Sequence, residues 1–340
     1  FCKNPIVLDD NGQLIHDSFT VANFINKFFT TVASVLVNNL PAPLNIFTTD
    51  CNIVKDFYTN MNVEPNSFKL KPVSEDFIFK ELSSLNPHKS VGLDNIGPRF
   101  LKDGAEYLKI PVTFIINLSI STSIVPDDLK TARVTALHKK NSKLQVGNYR
   151  PISILCSMSK ILEKSVHFQI VEYLKENNLL YDYQSGFRSG FSTETCLIWL
   201  TDYIRQQSSK GLYTGIALLD VQKAFDSVDH DILCKKLSLL GIQPDWFKSY
   251  LSNRSQVVVV NNVYSDHMKI TCGVPQGSIL GPLLYLCYVN DMSVCTSQNC
   301  KLLLYADDSV LIISDKDPNV VSKLLGENIE SCYNWLVDNK

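Results

Sequence analysis

Leu302-Leu303-Leu304-Tyr305-Ala306-Asp307-Asp308-Ser309-Val310-Leu311-Ile312-Ile313 sets two adjacent acids between two apolar runs. Runs of this length and composition predict a hairpin over Lys301 to Ser314, with both carboxylates at its tip. An Asp-Asp pair is also ordinary turn chemistry, since aspartate side chains bond their own backbone in turns. A second apolar run, Ile216-Ala217-Leu218-Leu219-Asp220-Val221, likewise closes on an acid, where an Asx turn would suffice. If that strand and the hairpin are sheet neighbours, three carboxylates converge. Two such charges about 4 Å apart repel by about 4 kcal/mol at an effective dielectric of 20, and cations would relieve this. Hard oxygen donors suit Mg²⁺. Two metals about 3.5–4 Å apart would stabilise the attacking and leaving oxygens of an in-line phosphoryl displacement. Asp220, Asp307 and Asp308 are therefore the candidate catalytic and metal-binding acids.

Outward from the hairpin the sequence holds no repeat and no low-complexity tract. Asn319 to Val337 predicts a closing helix. Upstream, Ser278 to Met292 predicts a buried helix, and Gln256 to Val260 and His267 to Thr271 two strands. Asp231 to Leu240 predicts a helix stopped by Gly241, and Gly215 to Val221 the strand that carries Asp220. Residues 158–180 and 193–209 predict helices, the latter closed by Gly211. Ala132 to His138 predicts a strand, and Pro98 to Ser123 a helix. Ser74 starts a helix with Phe77, Ile78, Leu82 and Leu85 on one face. Residues 41–70, rich in Asn, Pro and Thr, predict a connector. Residues 17–40 predict a helix capped by Asp17 or Ser18, with Phe19, Ala22, Ile25, Phe28, Val32 and Leu36 at helical spacing. Strands and helices mixed around a central hairpin argue an α+β fold rather than a doubly wound parallel sheet.

The 340 residues are enough for about two domains. At 45% hydrophobic and 19% charged the chain has the composition of a globular protein, not a disordered one. Its net charge of −2 does not advertise nucleic-acid binding. Between Lys130 and Lys164, however, stand Lys130, Arg133, Lys139, Lys140, Lys143, Arg150, Lys160 and Lys164 against Glu163 alone, eight positives to one negative. Such a stretch is either a solvated basic face or a phosphate-binding surface. The 10 cysteines, from Cys2 to Cys332, contain no CxxC and predict reduced, buried thiols in an intracellular protein. A zinc site from Cys295 and Cys300 lacks the usual partner spacing. No apolar run reaches about 18 residues, and the N-terminus has no signal-peptide pattern, so no membrane partner is expected. The absence of an initiator methionine suggests an excerpt of a longer chain.

Taken together, these motifs resemble reverse transcriptases. Tyr305-Ala306-Asp307-Asp308 is similar to their YxDD box. Leu219-Asp220-Val221-Gln222-Lys223-Ala224-Phe225-Asp226 resembles their first catalytic motif, Gly273-Val274-Pro275-Gln276-Gly277-Ser278 their PQG motif, and Asn148-Tyr149-Arg150-Pro151-Ile152-Ser153 a fingers motif. Gln184-Ser185-Gly186-Phe187-Arg188 followed by Ser192-Thr193-Glu194 resembles non-LTR retrotransposons, the jockey-like and related long interspersed elements. So does Lys89-Ser90-Val91-Gly92-Leu93-Asp94. The resemblance runs from about Ser74 to the C-terminus, with six motifs in the family order.

The resemblance implies a right-hand polymerase fold. Residues 1–70 would be an N-terminal extension or connector, 71–200 and 235–272 fingers, and 201–234 and 273–340 a palm cut off before the thumb. It implies an RNA-directed DNA polymerase that adds dNTPs to a DNA primer on an RNA template with two Mg²⁺ ions, Mn²⁺ being a substitute. Asp220 and Asp307 would bridge the metals, Asp308 would complete the acidic cluster, and the Val221 carbonyl would add a ligand. The amides of Lys223 and Ala224 would face the triphosphate. Arg150 would contact it through its planar fork, helped by Lys139 or Lys140. Phe225 would lie under the incoming sugar and exclude a 2′-OH. Gln276 would pack near the nucleotide and templating base, with Gly277 allowing close backbone approach. Arg188 and the Lys130 to Lys164 surface would hold template phosphates. In the longer protein an upstream endonuclease is expected, with residence in the nucleus and in a cytoplasmic ribonucleoprotein. The rival readings are a group II intron-type reverse transcriptase and an inactive RNA-binding remnant.

Overall fold

The computed structural model describes residues 7–8 and 12–340. Its first elements are β1 (Val7–Leu8), β2 (Leu14–Ile15), α1 (Ser18–Asn38), α2 (Asn52–Thr59), α3 (Glu75–Ser83), α4 (Pro98–Asp103) and α5 (Ala105–Thr122). Then come β3 (Thr131–His138), β4 (Tyr149–Ile154), α6 (Ser157–Glu176), α7 (Thr193–Ser209), β5 (Tyr213–Asp220), α8 (Ala224–Ser227), α9 (His230–Leu239) and α10 (Asp245–Leu251). The last are β6 (Ser255–Val260), β7 (Val263–Tyr264), β8 (Met268–Lys269), α11 (Leu280–Val289), β9 (Cys300–Tyr305), β10 (Asp308–Asp315) and α12 (Pro318–Asn339). The mixed α+β character expected from the sequence is what forms.

The chain divides into two compact units, each assembled from three stretches. One holds the described residues up to 38 together with 69–170 and 243–281, the other 39–68, 171–242 and 282–340. These boundaries fall elsewhere than the expected 71–200 with 235–272 and 201–234 with 273–340. Residues 171–200 and 235–242 sit with the hairpin, and α1 sits in the other unit.

In the first unit, β4, β3, β6 and β7 follow one another in a sheet, with β8 paired to β6 as well. β3 runs antiparallel to β4 and parallel to β6. α1 lays Val21, Ala22, Ile25 and Phe29 against Ala132, Val134, Tyr149, Leu155, Val258 and Val260. Its Asn26 is fully buried and bonds Gln256, Ser265 and the Asp266 carbonyl, so the helix is fixed in register on the sheet. By length and composition alone α1 would be apolar enough to cross a membrane. Here its apolar face is spent on this core. The expected cap forms, with Asp17 accepting from the Thr20 amide at 2.8 Å.

In the second unit, β5, β10 and β9 form an antiparallel sheet with β10 in the middle. α12 covers one face of it. A Cβ added at Gly215 would fall 2.4 Å from Val321 Cγ1, so the glycine is what lets this helix close on β5.

Several expectations are corrected. The 41–70 connector contains α2, because Val54 and Tyr58, four apart, share a buried face that the polar composition hid. The helix expected over Pro98 to Ser123 is two, parted at Gly104. The Ser278 to Met292 helix is shortened to α11, followed by a 3-10 turn at Met292–Cys295. The His267 to Thr271 strand shrinks to β8, and β4, β7, α8 and α10 were not foreseen. Cys51, Cys196 and Cys272 are half-buried rather than buried, and among the described residues no cysteine is in a disulfide. Cys2 lies outside the described residues.

Candidate active site

The pairing of β5 with β10 places Asp220 opposite Asp308. Residues directly opposite in an antiparallel pair project to the same face, with Cβ atoms about 4.5–5.5 Å apart. The face continues with Leu218 opposite Val310 and Ile216 opposite Ile312. The alternate residues Ser309, Leu311 and Ile313 are buried, and half-buried Gly215 shares their face, on the α12 side. The two acids thus stand on the sheet face that α12 does not cover, and both are exposed.

Asp307 follows on the two-residue turn between β9 and β10 and is half-buried. Residues 183–186 run beside β9 as a short parallel neighbour. Leu304 donates its amide to the Tyr183 carbonyl at 2.9 Å, and Ser185 donates to the Leu304 carbonyl at 2.8 Å. Arg188, expected on the template, turns its Nη1 inward to the Tyr181 and Gln184 carbonyls, 2.9 Å each, and lies over the Phe191 ring. Burial lowers its pKa, partly offset by Asp182. In this arrangement it braces the loop that flanks the hairpin.

β5 ends at Asp220 and the chain turns through Val221 and Gln222 to Lys223, whose φ of +55° starts α8. Ala224 is buried and Phe225 half-buried. The Phe225 ring stacks on Tyr285 of α11 with centroids 4.6 Å apart and meets Phe187 edge-on at 5.9 Å. Burial, with the charges of Asp307 and Asp308, holds the Tyr285 phenol far above its ordinary pKa. Neither Tyr285 nor Phe187 was singled out from the sequence. Phe187 lies within Gln184-Ser185-Gly186-Phe187-Arg188, whereas Tyr285 resembles any core residue of an apolar helix.

The remaining candidates lie in the first unit. Arg150 is exposed on β4, in register with Leu137 of β3. The Lys139 amide donates to the Asn148 carbonyl at 2.8 Å, which prolongs the ladder by one residue. Strand alternation puts Lys139 on the face of Leu137 and Arg150, and this separates it from Lys140. The PQG turn packs against the same strand. Ser153 donates its amide to the Gln276 carbonyl at 2.8 Å, and a Cβ at Gly277, where φ is +116°, would meet the Ser153 carbonyl oxygen at 2.4 Å. The basic stretch is thinner than its sequence implies. Lys130 is buried and paired with Asp127, and Lys164 is paired with Glu81.

The donors at the sheet are carboxylate oxygens, the chemistry a hard cation requires. Among the described residues no three His, Cys, Asp or Glu side chains are drawn into a ready-made metal cage. The anticipated three-way convergence is instead an open pair in register with a third acid beside it on the turn. Mg²⁺ keeps several waters and takes one or two carboxylates together with substrate phosphates, so an open pair fits it. A concavity of about 450 Å³ lined by Asn45, Thr49, Ile232, Lys235 and Asn339 holds none of these residues.

Residues 137–340 match the family described as Reverse transcriptase (RNA-dependent DNA polymerase). The chain is 33% identical over 278 residues to a probable RNA-directed DNA polymerase from transposon BS of Drosophila melanogaster, covering 79% of this chain and 31% of that protein. It is 31% identical over 227 residues to the corresponding protein from the X-element of the same fly, covering 65% of this chain and 25% of that one. It is 29% identical over 283 residues to the RNA-directed DNA polymerase from its mobile element jockey, 79% of this chain and 30% of that protein. The chain therefore spans a quarter to a third of the length of these relatives.

Proposed function

The chain belongs to the reverse transcriptase (RNA-dependent DNA polymerase) family, and from that premise we propose that it carries the nucleotide-adding site of a non-LTR retrotransposon protein. The reaction is attack of a DNA primer 3′-OH on the α-phosphate of a dNTP, directed by an RNA template. The observation that carries this reading is the register of Asp220 with Asp308 across two adjacent strands, with Asp307 on the turn between them and the third strand.

Asp220, Asp307, Asp308 and the Val221 carbonyl are the groups that would hold two Mg²⁺ ions, with Mn²⁺ as a substitute. When bound, such ions neutralise phosphate charge and stabilise the entering and leaving oxygens. The chain's own residues orient the nucleotide. Lys223 and Ala224 offer backbone amides, and Arg150 and Lys139 supply positive charge from one strand face. Gln276 and Gly277 are held against β4 by the Ser153 amide and would pack near the nucleotide and templating base. Phe225, propped by Tyr285, presents a ring that a ribose 2′-OH would strike. The unit holding the carboxylates is assigned as palm and the other as fingers. Arg188 reaches template through the loop it braces. In the longer protein an upstream endonuclease is the expected neighbour, and the nucleus and a cytoplasmic ribonucleoprotein the expected locations.

Extension of oligo(dT) on poly(rA) with dTTP and Mg²⁺, by this segment within its full-length protein, tests the reading. Asp220→Asn or Asp308→Asn should cut extension by at least about 10²-fold, the scale on which loss of one transition-state stabiliser acts. RNA binding should persist. A folded, template-binding protein that fails to extend would sink the proposal. Phe225→Val should admit ribonucleotides, and unchanged discrimination would remove the gate assignment.

A further inference from the structure

The turn that presents Asp307 is built on an unfavourable residue. β9 and β10 are joined through Ala306 and Asp307, with Tyr305 facing Asp308. In two-residue hairpin turns the first central residue takes a positive φ, and glycine is favoured because a Cβ is strained there. Ala306 holds that position at φ +57°. It is also buried, at 8% exposure, which leaves water little access to it.

One side chain satisfies the peptide groups of Ala306. Gln184 is 2% exposed. Its Oε1 accepts from the Ala306 amide at 3.0 Å and from the Gly186 amide at 2.8 Å, and its Nε2 donates to the Ala306 carbonyl at 3.4 Å. A primary amide offers an acceptor and a donor on one planar group, and both ends of the Ala306 residue are taken. A buried backbone amide left without a partner costs about 1–3 kcal/mol. That is as large as the strain of a single residue in a sparsely populated backbone region. The bonds are therefore of the right size to hold the turn in a conformation that alanine resists.

We infer that Gln184 is a positioning residue for catalysis: its amide clamps Ala306 and so fixes the turn that aims Asp307 and leads into Asp308. The inference rests on the proposed nucleotide-adding role of those acids. The clamp works through the turn and touches no substrate. Its loss should appear in the chemical step and leave nucleotide and template binding in place.

The test uses the full-length protein. Gln184→Met keeps the size and burial of the side chain and removes all three bonds. Hydrogen exchange at the Ala306 amide should rise at least about tenfold, a readout that needs no activity. In extension assays kcat should fall at least about tenfold, with the KM for dTTP and the affinity for template within about twofold. Ala306→Gly, placed in the Gln184→Met background, removes the Cβ strain and should recover at least about threefold of the lost kcat. Gln184→Glu provides a second, nearly isosteric variant. Its protonated carboxyl offers the same acceptor and donor, while the carboxylate loses the donor and adds charge beside the acids. Its kcat should fall below that of wild type where the carboxylate form, which lacks the donor to the Ala306 carbonyl, prevails. Unchanged exchange at Ala306 in folded Gln184→Met overturns the clamp. So does unchanged kcat in an enzyme whose wild type extends, or absence of rescue by Ala306→Gly. A wild type that does not extend while the exchange effect stands fails the functional reading instead and leaves the clamp in place.

Discussion

At Gly186 the side chain is excluded by a single neighbour. A Cβ there would fall 2.1 Å from the Ala306 nitrogen and 2.7 Å from its Cα. Backbone cannot swing away as a side-chain tip can, so Gly186→Ala must displace either the 183–186 segment or the β9–β10 turn. We expect extension to fall at least about 10²-fold, since misplacement by about 1 Å costs that much. The melting midpoint should drop by a destabilisation of about 1–3 kcal/mol. Activity within twofold of wild type would show that the turn tolerates the shift. This residue also marks what was legible at its scale. Asp220, Asp307 and Asp308 stood out because charge at the end of an apolar run needs a reason. Gln184 and Gly186 carried no such mark. Their importance arises from Ala306, more than a hundred residues away in sequence, and only pairing of residues 183–186 with β9 brings them together.

Elements were legible where the sequence period and the local contacts agree. The hairpin is one such case, since its strands contact each other and its turn lies between them. α7 is another. Its predicted span, 193–209, is the observed one, and Ser192 with Thr195 forms a reciprocal cap. Elements too short to show a period, such as β7 and α8, were not seen, and tertiary contact decides them. The helix α12 illustrates the same dependence. Its sequence gives a helix, but nothing local says that it lies on β5. That packing rests on Gly215, whose added Cβ would meet Val321 Cγ1 at 2.4 Å and Leu325 Cδ1 at 2.6 Å. Gly215→Ala should therefore destabilise the fold by about 1–3 kcal/mol, the cost of overpacking. Val321→Ala in the same chain should recover part of that loss, because it removes the nearest obstructing atom. Urea midpoints of the two single variants and the double variant measure it, and strict additivity would deny the contact.

At the scale of the whole molecule, each compact unit is sewn from three distant stretches by buried polar groups. In one, Asn26 bonds Gln256 and Ser265, and Glu163 accepts from the Tyr250 hydroxyl and the Ile279 amide. In the other, all three stretches contribute to a single cluster. Lys236 bonds Asp291 at 2.7 Å and the Tyr288 carbonyl at 2.7 Å, and the Tyr58 hydroxyl reaches Asp291 at 3.3 Å. Lys236 and Asp291 are both fully buried, and the ammonium also lies over the Trp335 ring. Contacts across such sequence separations leave no periodic trace, which is why the unit boundaries were not readable in advance. Burial raises the pKa of Asp291, and Lys236 opposes that rise. Lys236→Met removes the opposing charge and should destabilise by about 3–5 kcal/mol near neutral pH, the cost of stranding a buried charge. Without its partner, Asp291 has a folded pKa still further above its unfolded value. Between those two values the folded state binds more protons than the unfolded state, so the variant's stability rises as pH falls through the folded value. The variant's deficit against wild type should therefore shrink from about pH 8 to about pH 5. Adding Asp291→Asn, which removes the stranded charge, should relieve much of the loss at pH 8 and abolish the pH dependence of the deficit. A deficit that stays constant with pH in the single variant would mean that Asp291 is not held at that charge by Lys236.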